Sequence, residues 1–170
     1  PHTLDFAGKS SADKRKEIAD AIAKSGADAT LITSPTSIAW LFNIRGQDVS
    51  RTPLPLARAI AWKNGKATLF IAPEKVGNEL PGFLGDDIDI RAEGDLEPTL
   101  SKLGREGKTI AVDPALAPVK YATTLAEAGA KVIDLTDPCA ILRATKNETE
   151  LNGTRAAHIR DGAAVTQFLH

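Results

Sequence analysis

The sequence predicts an α/β fold in which helices flank a mixed sheet, followed by a long C-terminal helix. Between residues 10 and 135, short apolar runs typical of buried strands alternate with helical patterns. This alternation is typical of sheets that contain parallel strand pairs. Asn64-Gly65 lies between two apolar runs and is the strongest short hairpin signal, because the matching two-residue turn needs positive φ at both positions. The hairpin makes two neighbouring strands antiparallel, so the predicted sheet is mixed.

The first half of the chain is predicted to contain a capped helix, a buried strand, a short helix, an irregular stretch and the two hairpin strands. Ser10 and Asp13 form a capping-box pattern. Ile18 and Ile22 share one face of the helix that follows, and Gly26 supplies its stop. These elements are predicted to cover, in order, residues 14–24, 29–33, 37–42, 43–55, 56–63 and 66–71.

The second half is predicted to alternate strictly between strand and helix. Gly104 and Gly129 each follow a helical pattern and are predicted to end those two helices. The predicted strands cover residues 87–91, 108–112 and 131–135, and the predicted helices cover residues 95–103 and 118–128.

The C-terminal segment is predicted to be a linker helix. Asn147 and Glu150 form a second capping pattern. Leu151, His158 and Val165 then recur seven residues apart, which makes a stripe that needs a packing partner. The helical pattern finishes on Phe168, Leu169 and His170, with no terminating Gly or Pro and no polar tail. We therefore expect an α/β domain over residues 1–138 and a linker helix over residues 139–170 that leads into a missing domain, with the chain being a fragment.

The composition excludes several classes of function. The formal net charge is −1, so no basic field exists to hold nucleic acid. No run approaches ~18 apolar residues, so we expect no contact with a membrane, and we see no signal peptide. Cys139 is the only cysteine, which excludes a disulfide framework and a multi-cysteine zinc site. A reduced, cytoplasmic setting is the simplest interpretation.

Common catalytic motifs are absent. The chain has no H-E-x-x-H, no G-x-S-x-G, no G-x-G-x-x-G and no P-loop pattern. The acidic group Asp86, Asp87 and Asp89 is better explained as the wet face of a strand than as a metal site. Cys139 lies in an apolar stretch, which favours a buried core residue over a nucleophile.

One segment, residues 34–49, concentrates chemical groups beside Gly46. It combines an aromatic ring, an amide, a guanidinium and a carboxylate, and we take Trp40, Asn43, Arg45 and Asp48 as the candidate site residues. Arg45 and Asp48 are three apart and could pair. Two interpretations stay open. In the favoured one, the aromatic side chains belong to the core and the polar side chains hydrogen-bond the backbone of a loop. In the other, the segment contacts a ligand or an interface.

His158 is a possible ligand residue on the predicted C-terminal helix. Its place on the helix stripe favours a packed, hydrogen-bonded histidine, because a single histidine without partners makes no metal site.

Two segments of the chain closely resemble the Xaa-Pro aminopeptidase (aminopeptidase P) family of the three-domain type. The first is residues 37–49 with the following Thr52-Pro53, and the second is Asp137-Pro138 with residues 146–164. The resemblance spans nearly the whole chain, and the two motifs together are specific. It implies that the chain is the non-catalytic middle domain, with the fold of creatinase amino-terminal domains, a mixed α/β sheet related to ribonuclease H.

The resemblance also implies what this chain lacks. The family's catalytic domain holds two divalent metal ions, usually manganese, on Asp, His and Glu ligands, and it follows the helix of residues 147–170. None of those ligand motifs matches a position here. We therefore expect no catalytic residue, no metal ligand and no cofactor in this chain, which alone would be inactive.

For the parent protein, the resemblance implies a cytoplasmic, homodimeric metalloprotease that acts on proline-containing peptides and removes an N-terminal residue preceding proline. In such enzymes the non-catalytic domains border the active-site mouth, so the four candidate residues are expected to line that mouth or a domain or subunit interface. The alternatives are a stand-alone α/β module that binds a protein or a small molecule, and a domain of a prolidase or creatinase relative. Residues 40–48 favour the aminopeptidase.

Overall fold

The computed structural model describes residues 1–170 and contains six strands, eight α-helices and two short 3₁₀ turns. The strands are β1 Ala29–Ile32, β2 Arg58–Trp62, β3 Ala67–Phe70, β4 Ile88–Arg91, β5 Thr109–Val112 and β6 Lys131–Asp134. The helices are α1 Leu4–Ala7, α2 Ser11–Ser25, α3 Pro35–Leu41, α4 Leu80–Leu84, α5 Leu96–Arg105, α6 Val119–Glu127, α7 Cys139–Ala144 and α8 Glu148–Leu169. The 3₁₀ turns are Pro73–Lys75 and Glu93–Asp95.

All six strands form one mixed sheet in the order β4-β3-β2-β1-β5-β6. Strand β2 is antiparallel to both of its neighbours, β1 and β3, while the remaining three pairs are parallel. The predicted mixed α/β fold with flanking helices is therefore confirmed.

Two apolar clusters cover the two faces of the sheet. Alternation along β1 directs Leu31 into one cluster and Ile32 into the other. The larger cluster packs the sheet against α2, α3, α4 and α7, and the smaller packs it against α5 and α6. The result is a three-layer architecture with helices on both faces.

The hairpin between β2 and β3 is confirmed, but its turn differs from the predicted one. Only Gly65 has positive φ, at 82°. The Gly65 amide donates to Trp62 O at 3.0 Å, and the Trp62 amide donates to Lys66 O at 2.9 Å. This pattern is a three-residue loop in which a turn is followed by a left-handed glycine, so Asn64 does not need positive φ.

Helix α5 continues past the glycine that was predicted to stop it. Gly104 is buried inside α5, and the left-handed residue after the helix is Gly107, with φ 64°. A Cβ on Gly104 would lie 2.3 Å from Ala128 Cβ. Gly104 therefore permits the close approach of α5 to the end of α6 and does not terminate the helix.

The capping box predicted at Asn147 is confirmed. At Ser10 the N-cap is confirmed but the box is not complete, because the Asp13 carboxylate accepts from Ser10 Oγ and not from the Ser10 amide. Ser10 Oγ accepts from the Asp13 amide at 3.0 Å. At the start of α8, Asn147 and Glu150 exchange side-chain-to-amide hydrogen bonds of 3.0 Å in both directions. Asn147 Nδ2 also donates to Ala7 O at 2.8 Å, which ties α8 to α1.

No residue of α8 is buried. Leu151 is partly buried, whereas His158 and Val165 are exposed. Because His158 is exposed, the expectation that it is packed is wrong for this chain. Its expected hydrogen bond is present, to Thr154 O at 2.9 Å. The domain division at residue 138 stays a prediction.

Candidate functional site

The candidate segment begins where α3 ends. Helix α3 finishes at Leu41, and Asn43 then takes a left-handed conformation with φ 52°, which asparagine tolerates better than most residues. The Ile44 amide returns to Ala39 O at 3.1 Å. This turn directs the following loop away from the helix axis.

Asn43 belongs to the interior of the fold. It is only 3% exposed, and its Nδ2 donates to Lys9 O at 2.9 Å. Its Oδ1 accepts from Lys14 Nζ at 2.6 Å. The side chain therefore fixes the exit from α3 against α2.

Lys14 is a site residue that the sequence analysis missed. Its Nζ also donates to Trp40 O at 3.0 Å and lies 4.6 Å from the centroid of a Trp40 ring. The residue is 1% exposed and has no carboxylate within ion-pair distance. Burial lowers the pKa of Lys14 to about 8, against a smaller opposing effect of Glu150. The spacing of Lys14, Ile18 and Ile22 could have revealed it, because residues four apart share one helix face.

Arg45 and Asp48 do not form the predicted ion pair. Arg45 Nη1 donates to Ala39 O at 3.2 Å and to Ile44 O at 2.9 Å. Asp48 Oδ2 accepts from the Leu56 amide at 2.6 Å and from Lys75 Nζ at 3.0 Å. The Leu56 amide, and then Lys75, hold the pKa of Asp48 below its ordinary value. Each residue braces the loop through a different partner.

The loop is closed by a tight backbone contact. The Gly46 amide donates to Pro53 O at 3.3 Å, and a Cβ on Gly46 would lie 2.7 Å from Pro55 Cα. Only a residue without a side chain fits there. The two ends of the loop are therefore held against each other.

Arg45 and Asp48 line a common surface cavity of about 340 Å³. Lys75 and Glu79 add charge to its wall, and Ile44, Ile71 and Leu80 are its apolar residues. Arg45 also reaches a wider groove of about 970 Å³ between the N-terminal residues and the start of α8. Trp40 lies elsewhere, in a cavity of about 250 Å³ with Glu17, Lys146 and Glu150. Of the four candidates, Arg45 and Asp48 line the same cavity, whereas Trp40 and Asn43 meet at the buried Lys14.

The two segments that carry the family resemblance meet in space. Ser37 Oγ donates to Asp137 Oδ2 at 2.6 Å, and both residues are buried. The Cys139 amide donates to Asp137 Oδ1 at 2.9 Å. Cys139 is fully buried, and burial is the main cause that raises the pKa of its thiol well above the ordinary value. These contacts agree with the interpretation of Cys139 as a core residue.

No group of three or more His, Cys, Asp or Glu side chains is placed where it could hold a metal ion. Asp89 pairs with Arg91 at 2.6 Å, and Asp87 lies 4.0 Å from Arg15. No helix is both long and apolar enough to cross a bilayer.

Comparison with known proteins gives consistent matches. The profile of the family described as "Creatinase/Prolidase N-terminal domain" matches residues 1–150. The chain is 33% identical over 164 residues to Xaa-Pro aminopeptidase 1 of Dictyostelium discoideum, covering 96% of this chain and 26% of that protein. It thus spans about a quarter of the length of this curated relative.

Solved structures share the fold. The crystal structure of an X-prolyl aminopeptidase from Caenorhabditis elegans, described as a cytosolic enzyme with a di-nuclear active site, superposes with a TM-score of 0.86 at 24% identity. That match covers 98% of this chain and 28% of the other. An Xaa-Pro dipeptidase from Bacillus anthracis superposes with a TM-score of 0.63 at 16% identity over 84% of this chain and 38% of the other.

Proposed function

Because the chain belongs to the creatinase/prolidase N-terminal domain family, we propose that it is a non-catalytic domain of a metal-dependent Xaa-Pro aminopeptidase. Such an enzyme removes an N-terminal residue that precedes proline. One observation carries the proposal: the chain is 33% identical over nearly its full length to an Xaa-Pro aminopeptidase of which it spans only 26%. The active site of the whole enzyme then lies largely in other parts of the protein.

The residues of this chain do not fit a metal centre, since no group of three ligating side chains converges. We therefore assign the two divalent metal ions, which we propose to be manganese, to a catalytic domain outside this chain. The description of the nematode relative as a cytosolic enzyme with a di-nuclear active site supports this assignment and a cytoplasmic location for the parent. We further propose that the parent is a homodimer.

The role that we propose for this domain is to shape the mouth of the active site or a domain or subunit interface. Asn43 and Lys14 anchor the start of the loop, and Gly46 packs on Pro55 at its other end. This framework holds the exposed Arg45 in place beside the cavity that Asp48 also lines. A rigidly held guanidinium suits recognition of carbonyl or carboxylate groups, such as those of the downstream residues of a peptide.

The test uses the full-length parent protein and an Arg45→Ala variant. Assays would compare an Xaa-Pro-Xaa tripeptide with longer peptides that share its first three residues. We expect kcat/KM to fall for the longer peptides and to change little for the tripeptide. Arg105→Ala, which removes an exposed arginine at the end of α5, is the matched control and should leave both values unchanged.

A second measurement uses the present chain alone. We expect the purified chain to fold and to show no hydrolysis of Xaa-Pro peptides with or without added manganese. Turnover that scales with the amount of this chain would refute its assignment as a non-catalytic domain.

A domain of a prolidase is the second candidate, favoured by the shared fold of the dipeptidase structure. That similarity lies at 16% identity and shows the fold alone. The two candidates differ in the substrate of the full-length parent. Cleavage of Xaa-Pro dipeptides without cleavage of Xaa-Pro-Xaa tripeptides would favour the prolidase. A reading frame that encodes no further domain would instead favour a stand-alone interaction module.

A further inference from the structure

Strand β4 forms one edge of the sheet and leaves its outer side unpaired. Its only neighbouring strand is β3. Arg91 O accepts from the Ile71 amide, so Arg91, and Asp89 two residues before it, direct their backbone groups towards β3. Because these directions alternate along a strand, the backbone groups of Ile88 and Ile90 point outward. The strand has no proline and no bulge, which are common devices that protect an edge.

The outer side of β4 offers both donors and acceptors. Ala92, the residue after the strand, keeps an extended conformation with φ −62° and ψ 146°, and its amide has no backbone acceptor in the chain. The Ile90 amide and the carbonyl oxygens of Ile88 and Ile90 are also unpaired, since no strand lies beyond β4. Such a row of groups is a template for a further strand.

The side chains of β4 separate by chemistry onto the two faces of the sheet. Ile88 is buried in the larger apolar cluster, and Ile90 packs against the same cluster. Asp89 and Arg91 lie on the other face, with about half of each side chain exposed, at 53% and 45%. Arg91 Nε donates to Asp89 Oδ2 at 2.6 Å. The Nη groups of Arg91 and the second carboxylate oxygen of Asp89 remain free for other partners.

From this arrangement we infer that β4 pairs antiparallel with β4 of a second copy of the chain, about a two-fold axis at Ile90, to make one continuous sheet. In this register Ile90 exchanges hydrogen bonds with Ile90 of the second copy, and the Ala92 amide of each copy donates to Ile88 O of the other. The Ile88 amide and Ala92 O are not needed, because they already bond to Gly85 O and the Asp95 amide.

Charge complementarity is the reason for choosing a second copy as the partner. The antiparallel register brings Asp89 of each copy opposite Arg91 of the other, in the closer, non-hydrogen-bonded type of pair. Each carboxylate thus gains a second guanidinium, and each guanidinium gains a second carboxylate. On the opposite face, the partly buried Ile90 side chains of the two copies meet at the axis. The strand is therefore complementary to itself.

The other edge strand, β6, does not share this property. Its two charged residues, Lys131 and Asp134, are three positions apart and so lie on opposite faces of the strand. Residues that are opposite each other in an antiparallel pair direct their side chains to the same face. A symmetric β6 pair therefore cannot join Lys131 to Asp134, and β4 is the edge that combines free backbone groups with complementary charges.

Acidic residues at the two ends of β4 limit the length of the pairing. In this register Asp87 would face Glu93 of the second copy. Glu93 begins the 3₁₀ turn Glu93–Asp95, where the strand has ended, and Asp87 lies 4.0 Å from Arg15. The pairing is thus restricted to residues 88–92. So small a contact belongs to the weak class below about 1,200 Å², and we expect a Kd on the order of 0.1–1 mM. This inference does not depend on the proposed aminopeptidase role.

The first experiment measures sedimentation equilibrium and amide hydrogen exchange of the present chain from about 0.02 to about 2 mM. We expect the mass to rise towards that of a dimer, and exchange of the Ile90 and Ala92 amides to slow with it. The amides of Asp89 and Arg91, which already face β3, should not change and serve as the internal control. A strict monomer at about 2 mM, or a dimer without slower exchange at Ile90 and Ala92, would overturn the inference.

The Ala92→Pro variant blocks the edge without disturbing the fold. The φ of Ala92 is the value that proline requires, and the lost amide has no backbone acceptor in the chain. Because the variant removes the donor to Ile88 O and places a ring on the edge, it should weaken association at least about tenfold. Phe168→Ser, which removes an 87% exposed ring at the end of α8, should have no effect. The reverse ranking would place the contact on α8.

Charge exchange tests the register. Asp89→Arg and Arg91→Asp each place like charges opposite one another and should weaken association about tenfold. An equimolar mixture of the two variants restores both ion pairs, so it should form a heterodimer about as tight as the wild-type dimer. Asp134→Arg makes the same charge change on β6 and should have no effect. A mixture that stays monomeric, or an Asp134→Arg effect equal to that of Asp89→Arg, would contradict the proposed pairing.

Discussion

The ammonium group of Lys14 connects the interior of the fold to the candidate loop. It satisfies Asn43 Oδ1 and Trp40 O, two neutral acceptors, and contacts the Trp40 ring. A buried charge without an opposite charge pays a desolvation cost. That cost makes the stability of this domain dependent on pH in the alkaline range.

We predict that the free energy of unfolding attributable to Lys14 rises as the pH increases from about 8 to about 10.5. The fold lowers the pKa of Lys14 from its ordinary value of 10.5 to about 8. Below pH 8 both states are protonated and the folded state bears the full cost of the buried charge. Between the two values the folded state alone loses the proton, so unfolding becomes more costly. The full change is about 3 kcal/mol, measured by urea unfolding across this pH range.

Ionisation of Cys139 changes the stability in the opposite direction, so the measurement needs a control for it. Burial raises the pKa of its thiol, so the unfolded chain ionises first and stability falls as pH rises above the ordinary thiol value. The measurement therefore compares Cys139→Ala with Cys139→Ala/Lys14→Met. Parallel curves for these two proteins between pH 8 and 10.5 would contradict the prediction.

Single-residue contacts in the site were only partly predictable from the sequence. The position of Asn43 in an irregular stretch predicted that its side-chain amide would hydrogen-bond groups of the loop. The Arg45–Asp48 pair was wrong because a spacing of three brings side chains together on a helix, whereas residues 45–48 are not helical. Asp48 meets the Leu56 amide and Lys75 instead. Those partners are distant in sequence, and no local pattern specifies them.

At the scale of helices, Gly104 and Gly153 differ in the space that is available for a side chain. Gly104 lies in α5, where a Cβ would meet Ala128 Cβ at 2.3 Å and Leu125 O at 2.9 Å. Gly153 lies in α8 with nothing within 4 Å of a Cβ. We predict that Gly104→Ala lowers the free energy of unfolding by about 2 kcal/mol through overpacking. Gly153→Ala should raise the helical stability of α8 by about 0.5–1 kcal/mol.

Urea unfolding by circular dichroism measures the Gly104→Ala effect, and the mean residue ellipticity of the folded protein reports Gly153→Ala. The two substitutions are chemically identical and both lie in helices. A Gly104→Ala variant no less stable than the wild type would show that helix propensity, and not the contact with the end of α6, decides the outcome.

Helix α8 should be held most firmly at its first turn. That turn has the Asn147–Glu150 capping box and the bond from Asn147 to Ala7, whereas no side chain of α8 is buried. We predict by hydrogen exchange that protection falls from the Leu151 amide towards the end of α8, and that residues 18–25 of α2 exchange more slowly than residues 160–169. Uniform protection along α8 would contradict this.

The prediction of elements from the sequence succeeded where local signals were strong. Ser10, Asn147 and Gly26 mark helix ends through bonds within a few residues, and these were assigned correctly. Gly104 was assigned wrongly as a stop because a glycine needed for close packing looks the same in the sequence as a glycine needed for a left-handed turn. Only the position of α6 distinguishes the two.

For the whole molecule, the two apolar clusters share one sheet and should unfold together. Trp40 packs against the larger cluster and Trp62 against the smaller one, so each tryptophan reports on one face. We predict that in Trp40→Phe and in Trp62→Phe the fluorescence midpoint in urea equals the midpoint of the far-ultraviolet circular dichroism. A fluorescence transition that precedes loss of secondary structure in either variant would show that one face unfolds independently.

The mixed sheet was predictable, but its strand order was not. The hairpin pattern established the antiparallel pair β2–β3, and the alternation after it indicated parallel pairs. The central position of β1, between β2 and β5, depends on pairings such as Leu31 with Val112. Such contacts join residues some eighty positions apart and leave no periodic trace in the sequence.

Helix α8 gives this domain the geometry of a lever. Its 22 residues extend about 33 Å at ~1.5 Å per residue. The helix is attached to the domain at its start, where Asn147 Nδ2 donates a hydrogen bond to Ala7 O. A tilt of about 10° at that pivot would move the far end by about 6 Å. Small adjustments between α1 and the capping box would thus be magnified into large displacements of whatever the distal turns carry.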